Sequence, residues 1–326
     1  MQECRLHAER KTGGDDILKK YIWGILYGFL LTVFTGYVLL DTFVITKVYQ
    51  TVPQEKESTD VIEQGDNDTG SYESVSRPQE SRSAVDTNNY MDDNISISIS
   101  EYRTNHTTIY VADVRLSSAE YLKTAFANAS YGRNVTAKTS EIAAENQAIL
   151  AINGDYYGAQ EKGYVLRNGV LYRDSASRNQ EGLAIYNDGS FEIFEEQSVS
   201  ADMLLSNGSV QILSFGPALV NNGQIAVTEN DEVGKAKTSN PRTAIGIVDA
   251  LHYVFVVSDG RTKESEGLSL YELAEFMQGL GVQIAYNLDG GGSSTMYFNG
   301  EIVNKPTTSG RSIKERSVSD IVYIGY

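Results

Sequence analysis

Between an apolar run, Val282 to Leu288, and a second β-rich run, Thr295 to Phe298, lies Asp289-Gly290-Gly291-Gly292-Ser293-Ser294, one carboxylate followed by three glycines and two serine hydroxyls. Glycines allow backbone N–H groups to turn inward together, and such a nest holds anionic oxygen, with serine hydroxyls as further donors. The chemistry this suggests is recognition of a phosphate or a sugar. The plainer alternative is a tight turn in which glycines supply positive φ and Asp289 caps the bend. Phosphate loops of nucleotide-binding proteins open directly into a helix, whereas Thr-Met-Tyr-Phe-Asn-Gly reads as strand and hairpin, so the expected order is strand, loop, strand.

Other reactive groups sit at the ends of β-rich runs. Asn240-Pro241-Arg242-Thr243 precedes Ala244 to Val248, Asp259-Gly260-Arg261 follows Val254 to Ser258, and Gly310-Arg311 precedes Val318 to Ile324. Ala148 to Ile152 runs into Asn153-Gly154-Asp155-Tyr156-Tyr157. The histidines, His7, His106 and His252, have no metal or triad spacing, and the single cysteine is Cys4. Catalysis therefore falls to carboxylates, hydroxyls, Arg or Lys.

Taken in order, Ala151-Ile152-Asn153-Gly154, Asn240-Pro241-Arg242-Thr243-Ala244-Ile245-Gly246, Asp259-Gly260-Arg261, the Leu270 to Leu280 periodic segment and Asn287 to Ser294 make the chain resemble the phosphodiester glycosidase family. That is the family of N-acetylglucosamine-1-phosphodiester α-N-acetylglucosaminidase. The resemblance runs from about Ala148 to Tyr326 and implies hydrolysis of a sugar-1-phosphodiester at the sugar side. The products are free sugar and a phosphomonoester. Where the family reads Asn-Gly-Gly and two aromatics, this chain has Asn153-Gly154-Asp155-Tyr156-Tyr157, which adds a charge at the turn.

A phosphomonoester is a good leaving group, so the reaction needs charge stabilisation more than a general acid. Asp289 and Asp259 are the candidate carboxylates at the oxocarbenium centre, and Arg242, with Arg311, is the candidate phosphate clamp. The backbone of Gly290, Gly291 and Gly292, the Ser293 and Ser294 hydroxyls, Asn153 and Asp155 complete the expected substrate-binding set. Asn153 is placed on the sugar hydroxyls or holding the loop. No cofactor is called for; a divalent metal bridging Asp289, Asp259 and a phosphate oxygen is chemically reasonable but not indicated by acid spacing. A non-catalytic glycan-binding module and a scaffold whose glycine turns serve folding are the competing readings. A binding module needs no carboxylate facing an anionic ligand.

The elements that must position these groups read as an α+β domain, mainly antiparallel or mixed sheet with a few packed helices. Asn168-Gly169, Asp188-Gly189, Asn222-Gly223 and Asn299-Gly300 are hairpin signals between β-rich runs. Ile95, Ile97 and Ile99 alternate with serines, and Thr107 to Val114 is a second β-rich run. Ser118 to Ala127 and Ser140 to Asn146 read as short capped helices. Ser269-Leu270-Tyr271-Glu272 is a capping box that opens a helix with apolar residues at Leu270, Leu273, Ala274, Met277 and Leu280.

Upstream, Tyr21 to Leu40 holds no charged residue and is long enough to cross a bilayer. The expected organisation is a cytoplasmic tail over 1–20, a transmembrane anchor over 21–45, a disordered acidic linker over 46–93 and the glycosidase-like domain over 94–326. Within Gln50 to Asp93, eleven acids face three bases, about half of the chain's formal charge of −16, so the acidity describes the linker and makes nucleic acid an improbable partner. Asn-x-Ser/Thr sequons at Asn94, Asn105, Asn128, Asn134 and Asn207 are read as incidental in a bacterial protein. Lys19 and Lys20 beside the span, with Arg10 and Lys11 behind them, predict a cytoplasmic N-terminus and an exported domain at the cell surface. External protease on intact cells is then expected to cut within Gln50 to Asp93 and release a folded fragment. Protection of that stretch until lysis would reverse the orientation.

Overall fold

The computed structural model describes residues 3–52, 84–85, 88–231 and 239–326. Most of the expected linker lies outside them. Two compact units result, one ending at Lys47 and one beginning at Val48. The first is the helix Glu3–Phe43, in which Lys20–Phe43 is long and apolar enough to cross a membrane. Its apolar side chains, Trp23, Leu30, Phe34 and Leu39 among them, are exposed.

In the second unit antiparallel pairing dominates, as the hairpin signals require. All four predicted dipeptides form the turns between paired strands, and Asn168, Asn222 and Asn299 take positive φ with the glycine that follows each. A nine-stranded sheet has at its centre Ile284–Asn287, Thr243–Asp249, His252–Ser258, Thr107–Leu116 and Ile95–Thr104. A five-stranded sheet contains Met296–Phe298, Leu150–Asn153, Asp320–Ile324 and Leu122–Phe126. A second five-stranded sheet is centred on Val165–Arg167, Ser209–Leu213 and Glu181–Tyr186. The strand Asn89–Met91 pairs with Ile95–Thr104, so ordered sheet begins ahead of Asn94.

Successive side chains of a strand point to opposite faces, and here that alternation sorts residues between layers. Tyr253, Phe255 and Val257 point into a core shared with Ile152, Met296 and Val322 of the first five-stranded sheet and with Leu183 and Leu213 of the second. Val254 and Val256 point the other way, onto Leu270, Leu273, Ala274 and Met277 of the helix Leu270–Gly279. The capping box that starts this helix is formed reciprocally, with Ser269 Oγ accepting from Glu272 N and Glu272 Oε2 accepting from Ser269 N. The helix Thr139–Glu145 covers the outer face of the first five-stranded sheet, and Ala201–Ser206 that of the second.

One predicted helix is absent. Ser118 caps a single 3-10 turn, Ala119–Tyr121, after which Leu122–Phe126 is a strand. Leu122, Thr124 and Phe126 are buried in alternation and pair with Asp320–Ile324, a period of two that overrides the local cap.

Beneath the ends of these strands lies a buried ion cluster. Arg167 Nη2 stands 2.9 Å from Asp155 Oδ2 and 2.7 Å from Asp320 Oδ2, with all three side chains shielded from solvent. Burial, then the neighbouring Asp155 charge, hold the Asp320 carboxyl above the ordinary range against the pull of Arg167. An Arg167→Met variant leaves two buried carboxylates uncompensated and is expected to lower unfolding free energy by about 3–5 kcal/mol. In that variant the Asp320 carboxyl, already raised by burial and the Asp155 charge, loses the Arg167 charge that opposes them, so its folded-state pKa lies further above the unfolded one. The folded state then binds more protons than the unfolded, so the deficit grows as pH rises through that window and shrinks below the ordinary carboxylate range. Denaturant titrations at pH 5 and pH 8 check both the size and the sign.

Candidate active site

The glycine loop carries the chain from one sheet to another. Ile284–Asn287 belongs to the nine-stranded sheet and Met296–Phe298 to the five-stranded sheet, and Leu288 to Thr295 connect their ends. Asn153, fully buried at the end of Leu150–Asn153, joins the pieces. Its Nδ2 donates to Asp289 O at 2.6 Å and to Gly154 O at 3.4 Å, while its Oδ1 accepts from Thr243 Oγ1 at 2.8 Å and Thr295 N at 3.2 Å. That fills the donor and acceptor capacity of the amide, so Asn153 is the loop-holding residue and has none left for sugar hydroxyls.

Each glycine of the triplet meets a different neighbour. A Cβ on Gly290 would approach Pro241 O to 2.9 Å, one on Gly291 would come within 2.8 Å of Arg261 Nη2, and one on Gly292 would collide with Thr308. Only Gly291, at φ 63°, takes a left-handed backbone. The expected nest of inward amides is largely used up. Gly290 N donates to Asp289 Oδ1, Gly291 N to Pro241 O, and Ser293 N and Ser294 N to the carbonyls of Gly290 and Gly291 in a 3-10 turn. Ser294 is fully buried, and among the described residues its hydroxyl has no partner.

Asp289 opens the loop with its carboxylate nearly buried. Oδ2 accepts from Arg316 Nη2 at 3.0 Å, and Arg316 also donates from Nε and Nη2 to Ser293 Oγ at 2.9 and 2.6 Å. Burial pushes the Asp289 carboxyl up, and the Arg316 charge, Ser293 and the Gly290 amide pull against it. Arg316 is 41% exposed at its side chain against 12% for Asp289, so the pair has one wet and one dry member. Arg261 completes the group. It follows Gly260 at φ 61°, places Nε and Nη2 on Asn240 Oδ1 at 3.2 and 3.0 Å, and donates from Nη1 to Thr308 O at 2.6 Å. Burial and the nearby Arg316 charge lower its pKa, and Asp289 opposes them. Two guanidinium groups therefore stand against one carboxylate, a local excess of positive charge suited to an anion.

Several sequence-derived assignments change. Arg311 is exposed, and among the described residues it makes no hydrogen bond or ion pair; Arg316, five residues on, meets the loop instead. Nothing in the local sequence separates the two arginines, because the intervening loop has no periodic structure. Arg242 is buried with its Nε on Leu268 O at 2.8 Å, closing the bridge between Asn240 and Leu268 rather than facing solvent. Asp155 leaves the substrate-binding set: it lies in the Arg167 cluster, its Oδ2 accepting from Ser214 N at 2.8 Å. Asp259 is buried and accepts from Lys305 N at 2.8 Å, Asn304 Nδ2 at 3.4 Å and Tyr110 Oη at 3.4 Å. Burial raises its pKa. Among the described residues it shares no bonded partner with Asp289, and it reaches the loop through Asn304, which donates to Ser294 O at 2.9 Å.

The profile of the phosphodiester glycosidase family matches residues 146–325, more than half of the chain. The SPbeta prophage-derived uncharacterized protein YomE of Bacillus subtilis (strain 168) is 27% identical over 190 residues, covering 57% of this chain and 29% of that protein. N-acetylglucosamine-1-phosphodiester α-N-acetylglucosaminidase of Mus musculus is 30% identical over 175 residues, 48% of this chain and 33% of the enzyme. The chain thus spans about a third of the length of the curated relatives it matches. The zebrafish enzyme's catalytic domain, auto-inhibited by its pro-peptide, superimposes with a TM-score of 0.57 at 21% identity over 71% of this chain and 83% of that one, which shows a shared fold.

The charge balance around Asp289 gives a direct test. Arg316→Gln removes the charge that opposes burial, so Asp289 is expected to take up its proton at higher pH than in the unaltered protein. Carbon-13 NMR of the carboxyl carbons against pH reads the midpoint. An unchanged or lower midpoint would mean that Arg316 does not set the Asp289 charge.

Proposed function

The chain belongs to the phosphodiester glycosidase family, and from that premise we propose that it hydrolyses sugar-1-phosphodiesters. The observation that carries the reading is the nearly buried Asp289 carboxyl bonded to a half-exposed Arg316, with Arg261 beside it. The phosphodiester anion takes the guanidinium groups of Arg316 and Arg261 and the Ser293 hydroxyl. As Arg316 turns to the phosphate, Asp289 is left facing the anomeric carbon. Water attacks that carbon, Asp289 accepts the water proton, and the bond from the anomeric carbon to the phosphate oxygen breaks with its electron pair going to oxygen. Free sugar and a phosphomonoester leave.

In this reading Asp259 and Asn153 hold the loop, and Arg242 supports its floor. The segment 305–316 adds Lys305, Arg311 and Lys314 to Arg316, while its one acid, Glu315, is engaged by Ser140 N and Oγ at 3.0 and 2.6 Å. A cationic rim on an acidic chain favours anionic substrates. The Lys20–Phe43 helix anchors the domain on the outer side of a membrane, where phosphate-linked sugars of envelope or extracellular polymers are the substrates.

Asp289→Asn keeps size and most hydrogen bonds but deletes the charge. It is expected to cut turnover by orders of magnitude, each tenfold worth about 1.4 kcal/mol of transition-state stabilisation, with substrate affinity unchanged or slightly tighter. Release of sugar and phosphomonoester from glycosyl-1-phosphodiesters, with thermal unfolding in parallel, measures this. Full turnover in a folded Asp289→Asn protein would remove Asp289 from the chemistry, and no turnover in either protein would leave a binding module.

A further inference from the structure

Tyr156 stands on the loop that runs beside Asp289. Asn153 Nδ2 donates to Asp289 O at 2.6 Å and Asp289 N donates to Gly154 O at 3.2 Å, so residues 153 and 154 are fastened to both sides of the Asp289 peptide, two positions ahead of Tyr156. The residues flanking Tyr156 are committed inward. Asp155 is held by Arg167 and Ser214, and Tyr157 is 1% exposed with its ring stacked 5.4 Å from Tyr131. Tyr156 is left facing out, 44% exposed.

Its backbone sits at φ 67° and ψ 22°, in the left-handed region that a bulky aromatic rarely adopts. A glycine or asparagine would take that conformation at lower cost, and such strain is characteristic of functional loops. Its surroundings are unlike those of the other exposed tyrosines of this unit. Tyr49 packs on Tyr131 at 5.9 Å, Tyr102 on Phe276 at 5.5 Å and Tyr326 on Tyr121 at 5.1 Å. Among the described residues, the Tyr156 ring has no aromatic partner and its hydroxyl no hydrogen bond.

We propose that Tyr156 is the platform on which the sugar ring of the substrate lies, with Asp289 at its anomeric carbon. The inference rests on the hydrolase reading for the substrate class and adds the subsite for the sugar. A pyranose presents a face of C–H groups rimmed by hydroxyls. The negative face of an aromatic ring attracts that C–H face, and the tyrosine hydroxyl meets the polar rim. The substrate is then divided by chemistry, its phosphate on Arg316 and Arg261 and its apolar ring face on Tyr156. The strained backbone is what turns the aromatic outward, on the loop whose preceding residues are fastened to the Asp289 peptide.

The full chain in detergent micelles tests this with Tyr156→Ala, Tyr156→Phe and Tyr156→Trp. On a methyl glycosyl-1-phosphodiester, Tyr156→Ala is expected to raise KM by about tenfold with kcat nearly unchanged, and Tyr156→Phe to restore most of the affinity. Tyr156→Ala keeps the Cβ and so the same backbone cost, and because the ring it removes is exposed and without an aromatic partner among the described residues, its melting temperature is expected to stay near that of the unaltered protein. Trp23 is the chain's single tryptophan and gives a constant background, so emission from Tyr156→Trp reports the new site. That emission is expected to change on titration with the glycosyl diester and not with dimethyl phosphate. A folded Tyr156→Ala protein with unaltered KM, or emission indifferent to the sugar, overturns the platform while leaving the hydrolase reading intact. Sugar-dependent emission in a protein that turns over no glycosyl phosphodiester sustains the platform and sinks the hydrolase.

Discussion

One buried amide holds the site together. The glycine loop leaves the nine-stranded sheet at Asn287 and enters a five-stranded sheet at Met296, so its shape depends on how those two sheet ends are spaced. Asn153 fixes that spacing by bonding Thr243 of the first sheet, Asp289 at the start of the loop and Thr295 at its end. In a low-dielectric interior, four bonds to one side chain leave no competing orientation, because any other would strand buried polar groups. The three glycines follow from the same constraint. Pro241, Arg261 and Thr308 each close on a different member of the triplet, so a side chain at Gly290 or Gly292 would meet a neighbouring backbone and one at Gly291 the Arg261 guanidinium.

Two charge clusters lie near this clamp and differ in sign and in solvation. Below the strand ends, Asp155 and Asp320 share Arg167 away from water, with acid in excess. At the loop, Arg316 and Arg261 share Asp289 at the edge of solvent, with cation in excess. A buried cluster with one partner missing is costly, so the lower one acts as a rigid foundation. The upper one has an accessible guanidinium that an incoming anion can recruit. Gly154 connects them: its N–H donates to Asp320 O, its carbonyl accepts from Asp289 N, and it has no room for a side chain against Asp320. Placement of the Asp289 carboxylate therefore depends on a cluster that never meets solvent.

Much of the architecture was legible in the chain because the rules involved are local. Alternating Ile95, Ile97 and Ile99, the Asn-Gly dipeptides and the Ser269 capping box each act through neighbours a few residues apart, and each is found where it was expected. The apolar length of Lys20–Phe43 is likewise a property of the segment alone. Asp289 at a strand end before a glycine loop also follows from composition and order, since β-branched and aromatic residues stop where glycines begin. Ser118 marks the limit of local rules: its cap signal is real, but the strand pairing of Leu122–Phe126 with a segment almost 200 residues away outweighs it.

Sequence by itself determined which residue types are available at the strand ends, the antiparallel character of the domain and the position of its glycine loop. Tertiary structure alone decided which of them meet. Arg316 rather than Arg311 reaches Asp289, Arg242 turns to Leu268, and Asp155 points down to Arg167 while Tyr156 points out. The physical reason is that side-chain direction at a strand end depends on register and on the packing of other segments, from 12 residues away for Arg167 on Asp155 to 59 for Ser214 on Asp155. Local propensity contains no term for such contacts. The same distance separates the two roles expected for Asn153, sugar contact and loop holding: its clamp partners, Thr243 and the two ends of the Asp289 to Thr295 loop, lie about 90 or more residues away and only the packed sheets bring them together.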